Sequence, residues 1–98
     1  MSNLFPGQFI PLGFASISIS HTAASGLTVP DGARMALIQG LTSPVQWRDD
    51  GVAPTAVDGG GMFMDHNLEP MTIIGNLRTI KFISTLNAGS TLLVSFYG

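Results

Sequence analysis

Residues 14–20 read FASISIS, and this stretch decides the fold class. Successive side chains of a β-strand point to opposite faces, so Phe14, Ser16, Ser18 and Ser20 share one face and Ala15, Ile17 and Ile19 the other. One face is apolar and the other is dominated by small hydroxyls, which is the pattern of a strand with one side on a core and one side turned outward. A helix would need apolar residues at i, i+3, i+4 and i+7 among strong helix formers, and no stretch of the chain has that pattern.

Working outward, the same β signature recurs at short intervals with turn residues between. Residues 21–32, HTAASGLTVPDG, break the first strand and end in a Pro30-Asp31-Gly32 turn. Residues 33–41, ARMALIQGL, fit a strand better than a lone short helix. Val45 to Arg48 continues as a short strand, and Asp50-Gly51 is a turn signal. Residues 52–61, VAPTAVDGGG, read as a flexible connection, with Gly59-Gly60-Gly61 a flexible or closely packed turn. Strands are expected over 62–64, 71–74, 79–85 and 90–97, with turns at Gly75-Asn76 and at Asn87-Ala88-Gly89. In the strand over 79–85, Ile80, Phe82 and Ser84 share a face. The expectation is an all-β fold: one β-sandwich over residues 1–98, jelly-roll-like, of about seven to eight short antiparallel strands. Ahead of it, residues 1–13 carry Leu4, Phe5, Phe9, Ile10 and Leu12 among Pro6, Gly7, Pro11 and Gly13, an extended apolar arm that lies on its own core or on a neighbour.

Composition narrows the function classes. The chain has 98 residues, 45% of them hydrophobic and 10% charged, where an average soluble domain is about 25% charged. Mean hydropathy is +0.38. Small domains normally cover a large surface with charge, so part of this surface is expected to be covered by other protein. Four Lys and Arg against six Asp and Glu, net −2, exclude the basic footprint of a nucleic-acid binder or a polybasic membrane patch. There is no cysteine, hence no disulfide and no thiolate metal site. The start MSNLFPGQFIPLGF lacks the basic opening and unbroken apolar run of a signal peptide. No apolar run approaches the length of a membrane span. The expected mature protein is the whole chain, made in the cytosol.

The densest chemistry lies in PVQWRDDGVAPT, residues 44–55, which holds the single tryptophan and Arg48, Asp49 and Asp50. The aspartates match no calcium-loop spacing, and a turn explains them. Trp47 is read as an anchor, Arg48 as the partner of a nearby carboxylate, and Asp49, Asp50 and Gly51 as the turn. Trp47 could alternatively stack on a sugar ring. His21 and His66 are too far apart in sequence to suggest a metal site, and no Gly-x-Ser-x-Gly elbow or phosphate loop is present. Asp49, Asp50, Asp58, Asp65 and Glu69 offer no favoured pair for glycoside hydrolysis. No enzyme activity, cofactor or metal is expected. Met62, Phe63 and Met64, with Met71 nearby, read in part as an adaptable contact surface.

Val45 to Thr55 (V-Q-W-R-D-D-G-V-A-P-T), Gly75 to Ile83 (G-N-L-R-T-I-K-F-I) and Leu93 to Tyr97 (L-V-S-F-Y) resemble small β-rich proteins of tailed-bacteriophage and prophage genomes. Those proteins carry a W-R-D-D-G-x-x-P-T segment. The resemblance covers a little over half the chain, and the N-terminal arm departs from it. It implies a virion-associated structural protein made in the host cytoplasm. Within that class a capsid decoration or cement protein is favoured, small, β-rich, low in charge and often trimeric or otherwise homo-oligomeric. Its expected partner is the major capsid protein. The alternative is a carbohydrate-binding or adhesion module of a tail or fibre, using Trp47, Asp49 and Asp50.

Overall fold

The computed structural model describes residues 10–57, 59–66, 69–75 and 77–98. Leu4, Phe5 and Phe9 of the expected arm, and Asp58, therefore lie outside the described residues. Among those described, every regular element is a strand: β1 (Pro11–Ile19), β2 (Ser25–Gly26), β3 (Met35–Leu41), β4 (Val45–Arg48), β5 (Met62–Met64), β6 (Met71–Ile74), β7 (Lys81–Ser84) and β8 (Ser90–Tyr97). They form two four-stranded antiparallel sheets, ordered β1-β8-β3-β6 and β2-β7-β4-β5.

The pairing is nested. β4 pairs with β5, β3 with β6, β2 with β7 and β1 with β8, so the chain is doubled back on itself about the connection over 49–61. The further pairings β3–β8 and β4–β7 join these pairs within each sheet. Eight antiparallel strands wound into two sheets in this order make a jelly roll, which is the architecture the strand count and turn spacing predict.

Alternation places the core. From β1, Ala15, Ile17 and Ile19 face inward; from β8, Leu92, Val94 and Phe96; from β3, Ala36 and Ile38. The second sheet contributes Val45 and Phe82, and the segment before β7 adds Leu77 and Ile80. Ile80, Phe82 and Ser84 are all fully buried, as the alternation over 79–85 predicts, although the ladder itself runs only from Lys81 to Ser84.

Two segments differ from the sequence reading. The described end of the expected arm, Pro11 to Gly13, is part of the sheet: it opens β1 and pairs with β8, with a register shift between Pro11 and Gly13. Proline is tolerated at the first position of an edge strand, where no ladder donor is required of it. Residues 21–32 are not simply a break, because Ser25 and Gly26 pair with Phe82 and Lys81 as β2. The Pro30-Asp31-Gly32 turn is present, closed by Ala33 N–H donating to the Pro30 carbonyl at 3.2 Å.

At one end of the sandwich the corner from β3 to β4 meets the turn from β7 to β8 through buried serines. Ser90 Oγ lies 2.7 Å from the carbonyls of both Leu41 and Ser43, and Ser43 Oγ donates to the Gly89 carbonyl at 2.8 Å. Ser84 Oγ lies 3.2 Å from Ser43 Oγ and accepts the Leu86 N–H. A buried polar group is tolerated when its hydrogen bonds are made, and no buried side-chain polar atom among the described residues lacks a partner.

Candidate functional site

The outer faces of the two sheets differ. On the β2-β7-β4-β5 sheet, Gln46 and its cross-strand neighbour Ile83 are buried although neither belongs to the inner core cluster. The chain's own connection packs over part of this face: Gln46 Nε2 donates to the Val57 carbonyl at 2.9 Å and Pro54 is buried, while Phe63, cross-strand from Gln46, is 63% exposed. That connection is tight rather than loose. Thr55 N–H donates to Gly60 and Gly60 N–H to Val57. A Cβ on Gly60 would collide with Thr55, and one on Gly61 would come within 2.8 Å of the Trp47 carbonyl oxygen.

The outer face of the β1-β8-β3-β6 sheet is exposed at its edge strands, although Met35, which the register places on that face, is 1% exposed. Its four strands contain no Asp, Glu, Lys, Arg or His. Register places its outward residues in rows: Phe14, Ser95, Leu37 and Thr72 in one, Ser16, Leu93 and Gln39 in the next. Phe14 is 67% exposed and Ile74, on the opposite edge strand, 71%. Between them Phe14, Leu37, Gln39, Pro70, Leu93 and Ser95 line a shallow apolar hollow of about 170 Å³. Phe14 belongs to the Ser face of FASISIS, and its exposure is what that alternation predicts.

The predicted contact residues fall into two patches. Ile10, just before the edge strand β1, and Leu12, within it, are exposed, and Ile10 exchanges two backbone hydrogen bonds with Gly98. Met62 (61% exposed) and Phe63 (63%) lie on β5, the edge strand of the other sheet. Met64 is drawn inward and packs against the core, because it is the β5 residue that pairs with Val45.

The Trp47 corner is built by β4. Trp47 lies on the same strand face as Val45, and its indole is half-buried against the core. Arg48 points the other way. Its guanidinium grips Asp50 through two hydrogen bonds, the one from Nε being 3.1 Å. That bidentate bond from Arg48 holds the Asp50 carboxyl below the ordinary aspartate range, and Asp50 in turn raises Arg48. Asp50 Oδ1 also accepts the Val52 N–H, and Gly51 sits at φ 82°, a conformation glycine adopts without strain. Arg48 thus finds the carboxylate expected of it, and Asp50-Gly51 forms the turn. Asp49 is exposed, and its carbonyl accepts from Thr79 Oγ1 at 3.0 Å.

Trp47, Arg48, Asp49, Asp50, Gly59, Gly61 and Met62 line an open depression of about 360 Å³. The two histidines are separate. His66 Nδ1 lies 3.1 Å from Asp65 Oδ1, and His21 Nδ1 lies 3.2 Å from the Ser84 carbonyl. Among the described residues no three of His, Asp and Glu gather into a metal-holding group, and no helix is long and apolar enough to cross a membrane. Compared with protein-family models, with curated proteins and with solved structures, the chain matches none.

Proposed function

We propose that the chain is a structural protein of a tailed-phage virion, a capsid decoration or cement protein that binds the assembled shell. In this reading it is made in the host cytoplasm, assembles as a homo-oligomer, and takes the major capsid protein as its partner. The observation that carries the reading is the exposed apolar side chains at two sheet edges: Ile10 and Leu12 at the start of β1, Met62 and Phe63 on β5. Such a surface suits docking on protein, where apolar residues lose water. The jelly roll is a fold that capsid domains use, which supports the reading by analogy only. Many weak, repeated contacts across a shell would add through avidity, so no single contact need be tight.

Co-sedimentation tests it: purified protein is mixed with the phage's expanded empty heads and, separately, with its tails. Saturable binding to heads is the expected result. Binding to tails alone, or to neither, overturns the decoration role.

A second reading has its own observation, the depression that Trp47 shares with Arg48, Asp49 and Asp50. An indole flank beside carboxylates suits a sugar ring and its hydroxyls, as an adhesion module of a tail or fibre would need. Binding on a glycan array that is lost in Trp47→Ala, or a calcium-dependent rise in Tm, would favour it.

A further inference from the structure

We infer that Asp31-Gly32 is a site of spontaneous isoaspartate formation, and that Arg48 shields the same dipeptide at Asp50-Gly51 from that reaction. The inference concerns the chain's own covalent ageing and holds whether or not the protein binds a shell.

The reaction needs only an aspartate, the amide of the next residue and water. The amide nitrogen attacks the aspartate Cγ, so an N–Cγ bond forms and the Cγ–OH bond of the protonated carboxyl breaks. The hydroxyl leaves with the amide proton as water, and a five-membered imide remains. Water then opens the imide. Attack at the side-chain carbonyl restores aspartate. Attack at the main-chain carbonyl leaves the backbone running through Cβ and Cγ, which is isoaspartate. No electrons are exchanged. Glycine is the most permissive following residue, because it has no Cβ to block the approach and its backbone turns easily.

The sequence holds this dipeptide three times, at Asp31-Gly32, Asp50-Gly51 and Asp58-Gly59. The first two lie wholly within the described residues and form a matched pair. Gly32 and Gly51 both sit at φ 82°. A Cβ at either would meet no atom within 4 Å, so both turns have room to move. Neither glycine N–H donates a hydrogen bond among the described residues, so neither nitrogen is tied down.

What differs is the carboxyl. Asp50 is held by both oxygens: Arg48 Nε donates to Oδ1 at 3.1 Å, Arg48 Nη2 donates to Oδ2, and the Val52 N–H donates to Oδ1 at 3.3 Å. Three donors fix the plane of the carboxylate and favour its ionised form. An ionised carboxylate has no hydroxyl to lose, and a fixed one cannot turn its Cγ toward the Gly51 nitrogen. Asp31 has no such hold. Its side chain is fully exposed, and its ion pair with Arg78 Nη2 spans 3.9 Å, too long for a hydrogen bond. Arg78 Nη2 reaches the Val29 carbonyl at 3.4 Å. The Asp31 carboxyl is therefore able to turn toward the Gly32 nitrogen. Isoaspartate there adds one backbone atom to the turn that Ala33 N–H closes on the Pro30 carbonyl. The same change at Asp50 would loosen the corner beside Trp47, so Arg48 acts through Asp50 as a positioning residue.

Peptide mapping tests the inference. The full wild-type chain and Arg48→Gln are aged for weeks in oxygen-18 water at neutral pH and physiological temperature. Electron-transfer fragmentation then reads isoaspartate and the heavy-oxygen label at each aspartate, and far-UV circular dichroism checks that both proteins are folded. In wild type, isoaspartate is expected to build up several-fold faster at Asp31 than at Asp50. In Arg48→Gln the rate at Asp50 should rise several-fold, toward that of Asp31, while the rate at Asp31 stays unchanged. That unchanged rate separates a local shield from a general loosening of the fold. Equal rates at the two sites in wild type overturn the inference. So does an Asp31 that stays unmodified, or an Arg48→Gln chain in which Asp50 does not speed up or Asp31 speeds up equally. If Arg48→Gln does not fold, the wild-type comparison of Asp31 with Asp50 decides.

Discussion

Replacing Ser90 by alanine should destabilise the sandwich far more than the loss of one hydroxyl at an exposed site. Ser90 is 7% exposed, and its Oγ lies 2.7 Å from two carbonyl oxygens, those of Leu41 and Ser43. One hydroxyl proton serves one acceptor at a time. The Leu41 carbonyl keeps other donors, the Ser43 N–H at 2.9 Å and Thr42 Oγ1. The Ser43 carbonyl is the acceptor left wanting when the hydroxyl goes. An unmade buried hydrogen bond costs about 1–3 kcal/mol, out of a total stability of about 5–15 kcal/mol. In a domain of this size each kcal/mol moves Tm by about 4–8 °C, so Ser90→Ala should lower Tm by roughly 5–20 °C. The comparison is Ser16→Ala, an exposed serine on the outer face, which should stay within about 0.5 kcal/mol of wild type. Calorimetry of wild type, Ser90→Ala, Ser43→Ala and the double variant completes the cycle. Ser43 Oγ bonds the Gly89 carbonyl beside Ser90, so the two losses should not add. A Ser90→Ala midpoint equal to that of Ser16→Ala would refute the claim that the serine cluster holds the β3–β4 corner to the β7–β8 turn.

Three further outcomes are expected. Trp47→Ala, which empties a half-buried site on the core, should cost roughly 2–3 kcal/mol, below the cost of truncating a fully buried aromatic; an unchanged urea midpoint would contradict its role as an anchor. Thr42, a β-branched residue at φ 70°, is strained, so Thr42→Gly should raise Tm by a few degrees, since left-handed strain of about 1–3 kcal/mol outweighs the added chain entropy of glycine; a lowered Tm would refute that. The Asp50 carboxyl, bonded by Arg48, should titrate below 3.8 when followed by NMR. A depressed carboxylate stabilises the fold above its unfolded-state pKa and loses that contribution as pH falls through the folded value. The small stabilisation from this exposed pair should therefore vanish only in strong acid, and Asp50→Asn should abolish that part of the pH dependence; a normal or raised Asp50 midpoint would count against the bond.

The sequence made the long strands legible because period-two alternation survives wherever one face is buried. FASISIS and TLLVSFY sort correctly into inner and outer residues, and Pro30-Asp31-Gly32 forms the turn its residues suggest. β2 was not legible, because two residues have no period and one of them is glycine. The 49–61 connection reads as loose from its Gly, Ala and Pro content, yet those small residues let it pack closely over Gln46 and the Trp47 backbone. The serine cluster was invisible for a different reason: serine is common throughout the chain, and only tertiary structure brings Ser43, Ser84 and Ser90 together. At the candidate site, the Arg48–Asp50 pair was readable from spacing, whereas the exposed edges of the outer sheet face needed the topology. Phe14 and Ile74 lie 60 positions apart in sequence and share a face only because β8 and β3 lie between their strands.

The proposed function is docking of the exposed apolar side chains at the β1 and β5 edges on a virion shell. Quantitative mass spectrometry of purified virions, separated into heads and tails, tests it most directly. The account predicts the chain in the head fraction, in many copies and in a fixed ratio to the shell subunit. Its absence from heads, with presence only in tails or in neither fraction, would contradict the account.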